Sequence, residues 1–329
     1  MIQHAFTISF LFLLTFISSC DNNLEPSQSL NVARKGVYTA ALSSDGKYTV
    51  IGSIYDGGSF WQLTDNKRLF NWNHQANEQT TLLTSDISHD GKWAVTADSN
   101  NIVLWNTQTG AGERFWTAPS TVLSISLSPT ANVALLGLDN NTAVIFDIIQ
   151  GGIKQTFTHT NRVRSVDISA DGKTIITGSE DFSAKIWQLN KTQPTATIQH
   201  QDDVQLVKLS DDGTLAISVS KYDSAKIWST TAPHNAQNIP LKAEYLKRGI
   251  RFICARFSSD NKYVITGRPD QIVELWDTAD ATSVARWKLP KENSWKPTST
   301  SVVDVAFSSK ENTFIAVGSN GYIYELTMP

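Results

Sequence analysis

Residues 162–189 read RVRSVDISADGKTIITGSEDFSAKIWQL. Apolar and polar residues alternate through RVRSVDIS, and two further short runs follow, KTIITGS and SAKIWQL. Each run is bounded by turn residues, and no 3.6-residue periodicity competes with the alternation. The segment therefore reads as three short strands. The SADG at 169–172 is turn chemistry, because an Asp side chain bonds nearby backbone and Gly takes positive φ without steric cost.

The same pattern recurs along the chain. The motif appears as SSDG at 43–46, SHDG at 88–91, SPTA at 128–131, SADG at 169–172, SDDG at 210–213, SSDN at 258–261 and SSKE at 308–311. An aromatic follows each one at nearly constant distance: Trp61, Trp105, Phe146, Trp187, Trp228, Trp276 and Tyr324. Eleven residues beyond the first six of these stands another large apolar residue: Trp72, Trp116, Phe157, Ile198, Ile239 or Trp287. These two registers absorb most of the ten Trp.

Four strands per 40–50 residues, SxDG turns and a terminal Trp or Trp-Asp resemble the WD-repeat β-propeller family. The resemblance spans residues 30–329 and implies an all-β, seven-bladed propeller of four-stranded antiparallel blades. The seventh unit ends near Leu326 with no room for a fourth strand, while the segment around Ser29–Arg34 has no unit of its own. In the family an N-terminal strand completes the last blade and removes the raw edge. Leu30 and Val32 are therefore expected to pack in that blade.

Composition excludes several classes. With 329 residues, 18% charged and 40% hydrophobic, the chain is neither disordered nor an integral membrane protein. A net charge of −3 argues against a nucleic-acid partner. Two Cys support neither a disulfide framework nor a Cys-rich zinc site. Cys254, in the alternating RFICARFS, reads as a small buried hydrophobe.

Residues 5–17, AFTISFLFLLTFI, form an apolar run too short to span a bilayer and of the right length for a secretory signal. The run ends in ISSC, and small residues before one Cys resemble a bacterial lipoprotein cleavage site. That resemblance implies a signal peptide over 1–19, a lipidated Cys20 and a polar tether over 20–29. Asp21 then resembles the signal for retention at the periplasmic side of the inner membrane.

His159, Thr177, Asp181 and Trp187 invite a triad reading. They fall on the four positions that form a buried structural tetrad in the WD-repeat family. His74, His159 and His200 precede different units, too far apart for one metal. No Gly-rich phosphate loop or G-x-S-x-G elbow is present. No set of acids or metal ligands is expected to share one position across units, so neither metal, cofactor nor catalytic residue is expected.

Loop length is the remaining signal, because propellers carry function in their loops. Three connections between units are expanded, and all three should open on the family's top face. Two of them are basic and aromatic, with Lys242, Tyr245, Lys247, Arg248 and Arg251 in one and Lys291, Trp295 and Lys296 in the other. Arg, Tyr and Trp are common interface anchors. The expected role is a non-enzymatic interaction platform at the cell envelope, binding through these loops an acidic protein partner or an anionic glycan or lipid headgroup. The alternative is an enzyme or small-ligand binder using the central channel, which would gain ground from carboxylates of perturbed acidity at the channel mouth.

Overall fold

The computed structural model describes residues 23–34, 36–75, 78–222, 224–239, 251–291 and 300–328. Their strands form seven four-stranded antiparallel sheets. Six of these blades are sequential meanders, running from an inner strand to an outer one. The inner strands, in chain order, are Val37–Leu42, Thr84–Ile87, Val122–Leu127, Val163–Ile168, Val204–Leu209, Cys254–Phe257 and Val302–Phe307. Each touches the next, and the seventh touches the first, so the ring is closed. The fold is an all-β, seven-bladed propeller.

Closure uses the N-terminal segment. Gln28–Asn31 pairs antiparallel with Tyr322–Thr327 as the outer strand of blade 7, with Leu30 opposite Ile323. Val32 and Ala33 are buried against Val37, Val317 and Ile323, and Leu30 packs on the same cluster. The pairing extends further toward the N-terminus than the polar composition of 20–29 indicates. Leu24 bridges Trp287 of blade 6, donating its N–H to the Arg286 carbonyl at 2.8 Å.

Burial follows position in the blade. The second strand Thr174–Ser179 is almost wholly buried because both its faces pack on other blades. The outer strand Ile153–Thr158 is mostly exposed. The two aromatic registers meet at the blade interfaces. Trp72 stacks on Phe60 at 4.6 Å and on Trp105 of the next blade at 5.2 Å. Its indole N–H reaches the Gly110 carbonyl of that blade at 3.1 Å. Trp287 does the same from blade 6 to the Thr327 carbonyl of blade 7, at 3.0 Å.

The SxDG turns are built as their chemistry dictates. Ser43 Oγ donates to Asp45 Oδ1 at 2.7 Å, Asp45 accepts the Lys47 N–H, and Ser43 Oγ accepts the Tyr48 N–H. The motif repeats at Ser88, Ser169, Ser210 and Ser258. Gly46 has a φ of +68°, and a Cβ there would lie 2.9 Å from the Phe307 carbonyl of the adjoining blade. These turns ring one face, called the bottom. The turns between second and third strands, and the described parts of the connections between blades, lie on the other, the top.

Candidate functional site

In blade 4 one hydroxyl joins three side chains. Thr177 Oγ1 accepts the Trp187 indole N–H at 2.8 Å and lies 2.7 Å from His159 Nε2. His159 Nδ1 lies 2.8 Å from Asp181 Oδ2. Asp181 also accepts the backbone N–H of Thr160 and Ser183. Burial alone would raise the Asp181 carboxyl, but hydrogen bonds from His159 and Ser183, with the His159 charge, hold it well below the usual carboxylate range. His159, Thr177 and Trp187 are all buried. The hydroxyl is already engaged by two partners, and no substrate can approach it. The constellation fixes the third strand on the second.

Blade 2 carries the same device, and the spacing of the sequence hides it. Thr96 Oγ1 accepts the Trp105 N–H at 2.8 Å and lies 2.9 Å from His74 Nε2. His74 Nδ1 is 3.4 Å from Asp98, a longer contact than its counterpart in blade 4. Burial pulls the His74 pKa below its ordinary value, against the attraction of Asp98. The expanded connection before this blade shifts His74 four positions from where blade 4 places His159, so repeat counting passes over it. In blade 5, Ser218 holds His200 at 2.8 Å and Trp228 at 3.1 Å.

Blade 6 keeps the Thr266–Trp276 bond at 2.9 Å but has no His. The buried Arg268 pairs with Asp270 at 2.6 Å and Glu274 at 3.5 Å instead. Blade 3 replaces the device entirely: Leu136 stands where Thr177 does, and Phe146, with no N–H, where Trp187 does. The three His thus serve three separate blades. Among the described residues no group of His, Cys, Asp or Glu is arranged to hold a metal. Cys254 is buried, its thiol pushed up by burial and by Asp304.

Of the loop residues singled out from the sequence, Lys242, Tyr245, Lys247, Arg248, Trp295 and Lys296 lie outside the described residues, as does Cys20. Arg251 is half-buried and Lys291 is exposed. The flanks of both segments end on the top face, where Ile239 pairs with Ala225 and Leu289 donates to the Gln271 carbonyl. Among the described residues that face carries five exposed large apolar or aromatic side chains: Tyr38, Ile54, Tyr55, Phe182 and Tyr222. Phe182 sits at a φ of +68° in the turn where blades 1 and 7 use Gly57 and Gly321. A bulky residue is strained there.

The bottom mouth of the channel is a cavity of about 240 Å³, lined by all seven inner strands and their turns. The residue two before the turn Ser faces it in blades 2 to 6: Asp86, Ser126, Asp167, Lys208 and Arg256. A shared charged position therefore does exist, contrary to the expectation from the sequence. Single charges in alternating strands look like ordinary polar positions until the ring brings them together. The signal lay in DI, KL and RF immediately before the turn motifs.

These side chains cap the inner edges of the sheets. Asp86 accepts the Leu127 N–H at 2.7 Å, Asp167 that of Leu209 at 2.9 Å, and Asp304 that of Leu42 at 2.8 Å. Ser124 and Ser165 accept the N–H of Val166 and Val207. Every cap reaches from one blade to the next, satisfying edge donors that a sheet would otherwise leave open. Asp167 is fully engaged, since it also accepts from Ser126 and pairs with Lys208 at 3.1 Å. Asp86 is not. Burial raises its pKa to about 6, against the pull of Lys208 and Arg256. Burial would lower Lys208, but Asp167 and Asp86 outweigh it and hold the ammonium above its ordinary value.

The family model for the WD domain, G-beta repeat, matches residues 151–188 and 247–277. The first match contains Asp181, Thr177, His159 and Trp187, and the second ends at the Trp276–Asp277 pair. These matches and the seven-bladed ring together support a WD-repeat β-propeller. No curated protein matches the chain.

Proposed function

We propose that this WD-repeat-type propeller is a non-enzymatic interaction platform held at the bacterial cell envelope by an N-terminal lipid on Cys20. Propellers of this fold commonly serve as protein-interaction scaffolds. The top-face apolar set carries the reading here. Tyr55 is 60% exposed, Tyr222 62% and Phe182 44%, the last at a strained turn position. Exposed aromatics on one face of a rigid ring suit partner binding, because ordering them costs little entropy. In blades 4 and 5 the buried hydroxyls of Thr177 and Ser218 are each engaged by a His and a Trp. The described flanks of the basic, aromatic sequences 240–250 and 292–299 end on this same side. They favour an acidic protein partner that covers both the aromatics and the Lys/Arg groups.

Two experiments test the reading. The full-length protein is captured from solubilised membranes beside a variant carrying Phe182→Asn, Tyr222→Ser, Arg251→Ala and Trp295→Ala. A partner bound by wild type and lost by the folded variant is expected. Equal recovery from both would move the interface off the top face. Cys20→Ser is expected to release the protein from membranes. Retention of that variant through a carbonate wash would contradict lipid anchoring.

The channel mouth is the second reading, favoured by the raised pKa of Asp86 inside a cavity. It concerns a different face and a different kind of ligand.

A further inference from the structure

The bottom mouth holds hydrogen-bonding capacity that the fold does not use. Asp86 Oδ2 takes the Leu127 N–H, and Oδ1 has no hydrogen-bond partner among the described residues. Across the ring, Arg256 uses only Nη2, on the Leu42 carbonyl at 2.9 Å and near Asp304 at 3.8 Å. Its other two nitrogens have no partner among the described residues. Lys208 uses its ammonium on Asp167 alone. An acceptor is thus left over on blade 2, and donors are left over on blades 5 and 6. The groups share one cavity of about 240 Å³ and feel one another's charge. At ~30 Å³ per water-sized group, that space takes about eight such groups.

A ligand that satisfied both sides would carry an ammonium and a carboxylate a few bonds apart. A lone cation would meet Asp86 but face Lys208 and Arg256, and a lone anion would face the reverse. We propose that the channel mouth binds a small zwitterion of the amino-acid type, its ammonium on Asp86 and its carboxylate on Arg256 and Lys208. The site is independent of the top-face platform and needs none of its residues. Ligand would bridge blade 2 to blades 5 and 6, tying opposite sides of the ring together.

The test is calorimetric titration of the full-length protein in detergent with glycine, L-serine and L-glutamine, beside ethanolamine and acetate as single-charge probes. At least one amino acid is expected to bind at pH 7.5, with ethanolamine and acetate at least about tenfold weaker. Asp86→Asn, which keeps an acceptor for the Leu127 N–H, is expected to fold and to lose at least about tenfold in affinity. Arg256→Gln should lose a similar factor. Binding should weaken from pH 7.5 to pH 5 as Asp86 takes up its proton. No heat from any amino acid with wild type would overturn the proposal. So would ethanolamine or acetate binding as tightly as the amino acids, or unchanged binding by folded Asp86→Asn.

Discussion

Blade 4 and the channel mouth each place an Asp among polar partners, and the two carboxyls are driven in opposite directions. Asp181 is met by His159, Ser183 and two backbone N–H groups, and its pKa falls well below the usual range. Asp86 is met by one backbone N–H, and burial lifts its pKa to about 6. In the first network the hydrogen-bonding groups are matched, and it behaves as a structural brace. In the second the match is incomplete, and the remainder faces a cavity. Burial of polar groups does not separate structure from function in this ring; unmatched capacity does.

The largest expected effect breaks the first member of that pair. Thr177→Val removes the oxygen that holds both Trp187 and His159. Two buried groups lose their partner, and each costs about 1–3 kcal/mol, so a loss of about 2–6 kcal/mol is expected from urea unfolding. The brace reading is sharpened by giving blade 4 the residues that blade 3 carries at Leu136, Phe146 and Ala118, with Thr177→Leu, Trp187→Phe and His159→Ala together. With all the polar partners removed, most of the lost stability should return. A triple variant no better than Thr177→Val would contradict it.

The next effect falls on the second member. The folded-state pKa of Asp86 lies above its unfolded value, so the folded state binds the proton more tightly. Its contribution to stability is therefore present at low pH and is lost as pH rises from about 4 through about 6. Asn mimics the protonated form. Asp86→Asn should match wild type near pH 4 and exceed it by about 2–3 kcal/mol above pH 7. Melting curves at the two pH values check this, and a variant less stable than wild type at pH 8 would contradict it.

The smallest effect carries the same comparison to the top face. Phe182→Asn relieves a left-handed aromatic and should stabilise the fold by about 1 kcal/mol in urea unfolding. A destabilised variant would mean that the ring itself needs the phenyl group.

Much of this architecture is written in short sequence signals. The turn Ser and the aromatic 16–18 residues beyond it fix the blade count, because both recur in all seven units even where SPTA, SSDN and SSKE depart from SxDG. The His159–Thr177–Asp181–Trp187 network is legible because its four residues fall on the tetrad positions of the WD-repeat family that the chain resembles. Its twin in blade 2 is not, because the expanded connection before Thr96 changes where the His must sit. The mouth residues were passed over for another reason. Alternation says that Asp86, Asp167, Lys208 and Arg256 are off the apolar register, yet only ring closure makes four such positions converge. Phe182 reads as an ordinary turn residue until its φ is known. The N-terminal apolar run and most of the basic loop residues lie outside the described residues, so the readings of Cys20 and Trp295 rest on the sequence.

The most direct measurement is a carbon-detected NMR titration of the Asp carboxyls, with Asp86→Asn and Asp181→Asn used for assignment. The account predicts a midpoint of about 6 for Asp86, while Asp181 stays ionised well below the pH at which ordinary carboxylates take up protons. Two carboxyls titrating together near ~4, as in unperturbed Asp, would contradict the distinction between a closed brace and an open site.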